Sequence, residues 1–260
     1  MTKRKKIIFI CIVVFIILIA LSPALMAENG NTYNDSFSTA KKWLESGVYY
    51  DHRTTVYCGA EWLPDKTVVL PEGFETDKYK SRAKKIEWEH VVPAENFGRT
   101  FSEWRDGHKD CKDGKGKEYK GRKCAELVNQ EYRYMQADMY NLYPAIGAVN
   151  ALRQNYNFTQ FQDDTKSSFG SCLMKIQDQK AEPPVRARGV IGRTYLYFES
   201  VYRRYRMSDS QRKLMQAWDK LYPVDEWECE RACRIYRIQK NENKIVQERC
   251  EQKGLWKCSI

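Results

Sequence analysis

The sequence predicts an α+β fold, in which a single, mainly helical domain contains a small amount of strand and is stapled by disulfides. Three observations support this prediction. Apolar residues recur at helical spacing in several segments, only one segment has the clear pattern of a strand, and eight cysteines follow an export signal. The 260 residues include 44 basic and 34 acidic side chains, which gives a formal net charge of +10. This excess allows a polyanionic partner without specifying one.

The first 27 residues have the pattern of a secretory signal peptide. Residues 3–6 are basic, residues 7–21 are apolar without interruption, and small residues near Ala24 and Ala27 suit cleavage. An uncleaved membrane anchor is the alternative, since a spanning helix needs about 20 apolar residues. Contact with a membrane is expected only through this segment.

Residues 28–35 are predicted to form a loose polar leader, and residues 36–260 are predicted to form the domain. This length suits one domain with its own hydrophobic core. The sequence contains no internal repeat and no low-complexity linker that would divide it. The domain is expected to be a monomer.

The first half of the domain is predicted to contain one helix and two strands. Ser36 has the chemistry of an N-cap, and apolar residues at helical spacing follow it, which predicts a helix over residues 36–45. Residues 67–70 form a short strand candidate. Residues 86–92 form the clearest strand, and Pro93 ends it.

Three helices are predicted in the second half. Proline is tolerated in the first turn of a helix, so Asn141 is expected to cap a helix that enters at Pro144 and continues through residue 153. Aromatic residues over 193–203 predict a buried helix. Residues 208–221 predict another, because four apolar residues lie at helical spacing on its inner face: Leu214, Met215, Trp218 and Leu221.

Eight cysteines remain after Cys11 is removed with the signal peptide. An even number behind an export signal indicates disulfides, and the one short-spaced pair lacks the further ligands of a zinc site. A single sequence does not determine the pairing. Chain proximity favours Cys111 with Cys124. In the tail, Cys229 could pair with Cys250 and Cys233 with Cys258. These pairs would leave Cys58 for Cys172.

The segment Ile-Glu-Trp-Glu-His-Val-Val-Pro-Ala, residues 86–94, places two carboxylates beside one of three histidines. A histidine that titrates near neutrality is able to take a proton from water, which makes His90 a candidate base, while a carboxylate suits a hard cation such as Mg²⁺. The alternative is a partly buried strand whose carboxylates form salt bridges. Neighbouring strand residues face opposite sides, so Glu89 and His90 share a site only if the strand is irregular or ends there.

Residues 109–124 contain seven basic and three acidic side chains. A disulfide between Cys111 and Cys124 would turn them into a tethered loop suited to binding phosphate. Most of its lysines are expected to be solvated surface residues. Arg122, next to a glycine and close to the disulfide, is the one residue singled out for phosphate contact among the basic side chains that the loop presents: Lys115, Lys117, Lys120, Arg122 and Lys123.

Three separated motifs resemble the bacterial endonuclease I family of secreted, nonspecific nucleases. They are Glu-Trp-Glu-His-Val-Val-Pro-Ala at 87–94, Asp-Met-Tyr-Asn-Leu-Tyr-Pro-Ala-Ile-Gly-Ala-Val-Asn at 138–150, and Arg-Thr-Tyr-Leu-Tyr at 193–197. The resemblance extends over nearly the whole mature chain. It implies a ββα-metal, or His-Me finger, site within a mainly helical domain, with two short strands carrying the histidine and a helix carrying a metal ligand.

The resemblance also implies roles for individual residues. His90 matches the general base, Glu89 matches one magnesium ligand, and Asn150 matches the other. Arg122 matches the arginine near the scissile phosphate. Glu87 is expected either to orient a metal-bound water or to form a structural ion pair.

Two departures from the family pattern accompany this match. Gln136 stands where family members often have an acidic residue, which puts a supporting carboxylate at that place in doubt. The basic loop before Arg122 is longer than the family pattern predicts. His52 and His108 have no surrounding catalytic residues and are expected to be surface or structural.

The expected function is that of a secreted or periplasmic endonuclease that depends on Mg²⁺, with Mn²⁺ or Ca²⁺ as substitutes. Its expected substrates are double-stranded and single-stranded DNA, and RNA, cut with little sequence preference to leave 5′-phosphates. The alternative is a noncatalytic exported protein for DNA binding or DNA uptake. A metallopeptidase is disfavoured because no His-Glu-x-x-His motif occurs.

Overall fold

Helices are the main regular structure of the described chain, and they are accompanied by two small sheets. The computed structural model describes residues 30–258. The predicted signal peptide and the first two residues of the polar leader lie outside the described residues. Within residues 30–258, no helix is both long and apolar enough to cross a membrane.

The described residues form ten α-helices and five strands. A π-helical turn, Leu44–Val48, follows the first helix, and 3-10 turns lie at Arg82–Lys84 and Met139–Asn141. The helices are α1 (Phe37–Trp43), α2 (Ala94–Gly98), α3 (Ser102–Arg105), α4 (Arg122–Val128), α5 (Gln130–Gln136), α6 (Gly147–Arg153), α7 (Val185–Val201), α8 (Asp209–Leu221), α9 (Glu226–Gln239) and α10 (Lys244–Gln252). The strands are β1 (Ile86–His90), β2 (Leu142–Ile146), β3 (Asn157–Phe158), β4 (Lys175–Gln177) and β5 (Lys180–Glu182).

The sheet that matters for the site is the pair β1 and β2. These strands run antiparallel, with Ile86 opposite Ile146 and His90 opposite Leu142, and α6 begins directly after β2. The other sheet has the order β3-β5-β4, with β3 parallel and β4 antiparallel to β5. The α+β prediction is therefore confirmed at the level of a helical domain with small sheets.

The predicted helix entry at Asn141 and Pro144 is wrong, because this segment is strand β2. Pro144 lies opposite Trp88, and its carbonyl oxygen accepts a hydrogen bond from Val56 N at 2.8 Å. The N–H and C=O of a strand residue point to the same edge. The missing N–H of Pro144 therefore faces away from β1, and the proline removes no hydrogen bond between the two strands.

The other predicted elements agree with the structure more closely. Ser36 caps α1 by accepting a hydrogen bond from Thr39 N, and Ser208 caps α8 in the same way through Gln211 N. In the segment 67–70, Thr67 and Val68 form isolated bridges, and no named strand is present. Leu221 is 67% exposed, so its assignment to the inner face of α8 is wrong.

Helices α7 and α8 cross at close range and form the centre of the core. A Cβ atom at Gly192 of α7 would lie 2.7 Å from the carbonyl oxygen of Met215 in α8, so only glycine fits there. Large side chains of both helices are buried on either side of this contact, among them Tyr195, Phe198 and Trp218. This core supports the face on which β1, β2 and α6 lie.

Residues 30–35, which belong to the predicted leader, are packed against the domain instead of being loose. Asn31 is 1% exposed, and its side chain donates to Tyr134 O at 2.9 Å while its backbone N–H donates to the Tyr202 hydroxyl at 2.9 Å. Asp35 forms an ion pair with Arg133. A polar composition predicted a loose segment here because sequence does not reveal these distant partners.

The eight cysteines of the described chain form four disulfides. The pairs are Cys58–Cys172, Cys111–Cys124, Cys229–Cys250 and Cys233–Cys258. Cys111–Cys124 is the pair that chain proximity favours, and the other three pairs are those suggested for the remaining cysteines. Two of the bridges fasten the C-terminal helices α9 and α10, and one closes the basic loop before α4.

We predict that each disulfide stabilises the domain by an amount that grows with the logarithm of the length of chain it encloses. Cys58 and Cys172 are separated by 114 residues, whereas Cys111 and Cys124 are separated by 13. Chain-entropy theory then predicts that replacing the first pair by alanine lowers the free energy of unfolding by about 2 kcal/mol more than replacing the second pair. Denaturant unfolding of the two double variants measures the difference. Equal losses would contradict the prediction.

Candidate active site

The chain after β1 is held by side chains of neighbouring elements. Asn141 Oδ1 accepts a hydrogen bond from Val92 N at 2.7 Å, and Asn141 Nδ2 donates to Val92 O at 2.9 Å. Asn141 is therefore not a helix cap, and that prediction is wrong: its carboxamide satisfies two backbone groups that the strand ladder no longer pairs. The strand ends at His90, two residues before the predicted end at Val92.

This strand end brings Glu89 and His90 into one open cavity of about 390 Å³. Arg122 and Asn150, also predicted from the sequence, lie in the wall of the same cavity, whereas Glu87 does not. Four predicted residues are thus brought together from three elements. The wall residues are Phe37, Trp88, Glu89, His90, Pro93, Ala94, Glu95, Trp104, Arg122, Asn150, Gln154 and Asn155.

His90 is oriented by the last residue of α5. Its Nε2 lies 2.9 Å from the carbonyl oxygen of Gln136. A carbonyl oxygen only accepts hydrogen bonds, so Nε2 carries the ring proton and Nδ1 keeps an unprotonated lone pair. The ring also packs against Phe37 and Phe97, with centroid distances of 4.9 and 6.3 Å. His90 is therefore presented as a neutral base with a fixed tautomer.

The departure from the family pattern at Gln136 does not affect this contact, because His90 is hydrogen-bonded to the backbone carbonyl of Gln136 and not to its side chain. The Gln136 side chain donates from Nε2 to Glu126 Oε1 at 3.2 Å. A carboxylate at position 136 is therefore not required to hold the imidazole in place.

Burial, together with the nearby Arg122 guanidinium, lowers the pKa of His90 to about 3. His90 is only 7% exposed, and a charged imidazole in this position would lose most of its hydration. The ring consequently stays neutral, and able to accept a proton, at neutral and mildly acidic pH.

Glu89 is a buried carboxylate whose two oxygens have different surroundings. Oε1 accepts hydrogen bonds from the Tyr57 hydroxyl and from Arg153 Nη1, both at 2.8 Å. Among residues 30–258, no side chain or backbone group donates to Oε2. Burial raises the pKa of Glu89, and the Arg153 cation opposes that rise. One oxygen anchors the carboxylate, and the other remains available to the cavity.

Asn150 is positioned by Glu87. Asn150 Nδ2 donates to Glu87 Oε2 at 2.8 Å, and Glu87 Oε1 accepts from Arg82 Nε at 2.7 Å. Since the amide nitrogen faces Glu87, the carboxamide oxygen faces the other way. Of the two roles considered for Glu87, the structure favours the ion pair, with an added hydrogen bond that orients Asn150.

Arg122 is the first residue of α4 and lies two residues before the disulfide cysteine Cys124. Its guanidinium lies over the Phe37 ring, 5.4 Å from the centroid. The lysines of the tethered loop are exposed and do not line the cavity. The structure thus separates Arg122, at the site, from its basic neighbours on the surface.

Sequence reasoning missed three residues that shape the site. Arg153 is fully buried and reaches Glu89, Tyr57 supplies a hydroxyl to the same carboxylate, and Phe37 covers His90. A charge at the end of a helix is usually solvated, so Arg153 gave no signal of its own. The helical spacing of Phe37 indicated only that it belongs to an apolar face.

Residues 48–250 match the profile of a family described as Endonuclease I. The chain belongs to the endonuclease I family. The matched range contains His90, Glu89, Arg122 and Asn150, and it begins after Phe37.

Named relatives of this endonuclease I chain include two proteins of Aeromonas hydrophila. An extracellular deoxyribonuclease is 38% identical over 83% of this chain and 91% of its own length. A periplasmic deoxyribonuclease is 36% identical over 89% of this chain and 92% of its own length. Endonuclease-1 of Buchnera aphidicola subsp. Acyrthosiphon pisum is 37% identical over 76% of this chain and 75% of its own length.

We predict that protonation of His90 does not limit turnover until the pH is well below 6.5, the ordinary pKa of histidine. The folded protein keeps the ring neutral between about pH 3 and pH 6.5, whereas the unfolded chain binds a proton there. The contribution of His90 to stability is therefore present above pH 6.5 and decreases as the pH falls through this window. A pH–rate profile tests the catalytic part, and an acid limb with its midpoint at pH 6.5 or above would contradict it.

Proposed function

We propose that this endonuclease I chain is a secreted or periplasmic enzyme that depends on Mg²⁺ and hydrolyses phosphodiester bonds in DNA and RNA with little sequence preference. Family membership and the names of its relatives support an exported nuclease that acts on DNA. The observation that carries the proposal is the neutral, tautomerically fixed imidazole of His90 in one cavity with Glu89, Asn150 and Arg122.

We further propose that β1, β2 and α6 are the ββα-metal, or His-Me finger, unit of this enzyme. Two antiparallel strands followed directly by a helix have the required order. The first strand ends at His90, and the helix carries Asn150. Their meeting in one cavity supports this assignment.

The donor set in the cavity fits magnesium. Glu89 Oε2 and the carboxamide oxygen of Asn150 are hard oxygen donors without a hydrogen-bond donor among residues 30–258, and Mg²⁺ prefers such ligands. In that part of the chain no cluster of three or more His, Cys, Asp or Glu residues forms a metal site. Two protein oxygen donors suit an ion that retains several waters and takes oxygens from its substrate, and Mn²⁺ or Ca²⁺ would use the same donors.

The proposed chemistry follows from the positions of the side chains. His90 Nδ1 takes a proton from a water molecule, and the water oxygen attacks phosphorus. The bond from phosphorus to the 3′ oxygen breaks, and the departing oxygen takes a proton from solvent water while His90 returns its proton to solvent, leaving a 5′-phosphate and a 3′-hydroxyl. Arg122 binds a phosphate oxygen through its fork of N–H donors, while a bound Mg²⁺ would stabilise the charge that develops on the phosphate and the leaving oxygen.

Low sequence preference follows from which groups make the contacts. Arg122 and the lysines of the tethered loop address phosphates, which carry no information about the bases. The cavity is open, and its wall includes the rings of Trp104 and Phe37, which tolerate any base. These features support action on double-stranded and single-stranded nucleic acid.

The first test of this proposal concerns the base. We expect His90→Ala to lower turnover of plasmid DNA by roughly 10²–10⁴-fold, the usual size of a general-base effect, while DNA binding persists. His52→Ala is the matched control, because His52 stacks on Trp227 away from the cavity. Its turnover should equal that of the unmodified chain.

Three outcomes would contradict this assignment. Digestion by His90→Ala at the unmodified rate would remove His90 from the mechanism. Full digestion in a strong chelator would remove the metal. DNA binding without any digestion, in the presence of Mg²⁺, would favour a noncatalytic DNA-binding protein.

The second test concerns the metal ligands. Glu89→Gln keeps an acceptor for Arg153 and Tyr57 while removing the charge, and we expect it to abolish most activity at low Mg²⁺. Asn150→Ala should lose activity too, but excess Mg²⁺ should partly restore it, because a neutral ligand contributes less charge. Asn157→Ala, an exposed carboxamide outside the cavity wall, is the control. Mg²⁺ titration calorimetry should show weaker binding for both site variants, and unchanged affinity would contradict their assignment.

A further inference from the structure

Phe37 lies between two residues of the proposed mechanism. Its ring packs on the imidazole of His90 at a centroid distance of 4.9 Å, and the Arg122 guanidinium lies over the same ring at 5.4 Å. Phe37 is half-buried and lines the cavity. Its position is therefore different from that of a residue that only fills the core.

The electrostatics of this ring match its neighbours. The face of an aromatic ring is negative and attracts cations, and both Arg122 and Lys41 lie over Phe37. The His90 ring, which is neutral, packs against the Phe37 ring. An aromatic residue in this place therefore draws the guanidinium toward the cavity and also limits the tilt of the imidazole.

The N-terminal segment holds Phe37 in this position. Ser36 caps α1, of which Phe37 is the first residue. Asp35 pairs with Arg133 of α5, and Asn31 donates to Tyr134 O in the same helix. Since α5 also supplies the Gln136 carbonyl that binds His90, the segment and the base are fastened to one helix.

We propose that Phe37 is a positioning residue that holds the His90 imidazole and the Arg122 guanidinium in the arrangement needed for phosphodiester hydrolysis. This inference rests on the proposed function above. It adds to the site a residue that precedes the range matched to the endonuclease I family. Phe37 touches neither the attacking water nor the leaving oxygen in this scheme.

Three variants separate the two contacts of the ring. Phe37→Ala removes both, and we expect kcat to fall roughly 10- to 100-fold, the effect of a misplaced catalytic group. Phe37→Leu keeps an apolar cover on His90 but has no ring face for Arg122, so kcat should fall less than in Phe37→Ala. In the presence of a chelator, both variants should bind duplex DNA about 2- to 5-fold more weakly, the size of an exposed cation–π contact.

Phe37→Tyr restores a ring and should recover both kcat and affinity. Tyr33→Ala is the matched control, because Tyr33 is on the same segment and is 60% exposed; it should leave both quantities unchanged. Thermal unfolding is measured for each variant. If Phe37→Ala is unfolded at the assay temperature, Phe37→Leu and Phe37→Tyr decide the question.

A double-mutant cycle tests whether Phe37 affects DNA affinity through Arg122. Phe37→Leu should weaken DNA binding in the parent but have no further effect in an Arg122→Ala background. An equal effect in both backgrounds, or a Phe37→Leu protein with parental affinity, would overturn the Arg122 contact. Parental kcat in a folded Phe37→Ala protein would overturn the His90 contact.

The failure of this inference is distinguishable from the failure of the proposed function. If the unmodified chain cuts no DNA in Mg²⁺, the proposed function fails, and this inference fails with it. If the unmodified chain cuts DNA and the Phe37 variants match it in kcat and affinity, only this inference fails.

Discussion

The site depends on the hydrogen bonds that the Arg153 guanidinium donates. This guanidinium is fully buried, and it donates to Glu89 Oε1, to the His90 carbonyl at 2.9 Å and to the Val91 carbonyl at 2.7 Å. Because Arg153 is in α6, one side chain joins the helix that carries Asn150 to the strand end that carries the base. Removing one partner of such a buried pair costs about 3–5 kcal/mol, since the other charge is left uncompensated. The positive charge of Arg153 also opposes the rise in the pKa of Glu89 that burial causes.

Much of the fold could be predicted because its signals are local. Ser36 and Ser208 cap helices through hydrogen bonds within one turn, and helical spacing locates the helices that follow. Pro144 shows the limit of this reasoning. Its local chemistry favours a helix entry, but pairing with β1 and the hydrogen bond from Val56 to its carbonyl determine the outcome. Those partners are distant in sequence, so tertiary context overrides the local preference.

The site could be predicted in its residue types but not in its supporting contacts. Glu87 and Glu89 are two residues apart on one strand and looked equivalent, yet one forms an ion pair with Arg82 and the other is buried beside Arg153. Depth of burial separates them, and sequence does not encode it directly. The partner of His90 is a backbone carbonyl. Any residue type supplies that atom, so no side-chain pattern could have revealed it.

The attachment of Asn31 bears on the order in which the molecule is assembled. Its backbone N–H bonds to the hydroxyl of Tyr202, a residue 171 positions later in the chain. A growing or translocating chain presents Asn31 early, but its partner Tyr202 emerges only after the whole of α7. Contacts of such long sequence separation form late, because the loop-closure entropy must first be overcome. A partly synthesised chain therefore lacks this fastening of its first segment until residue 202 of 260 has been made.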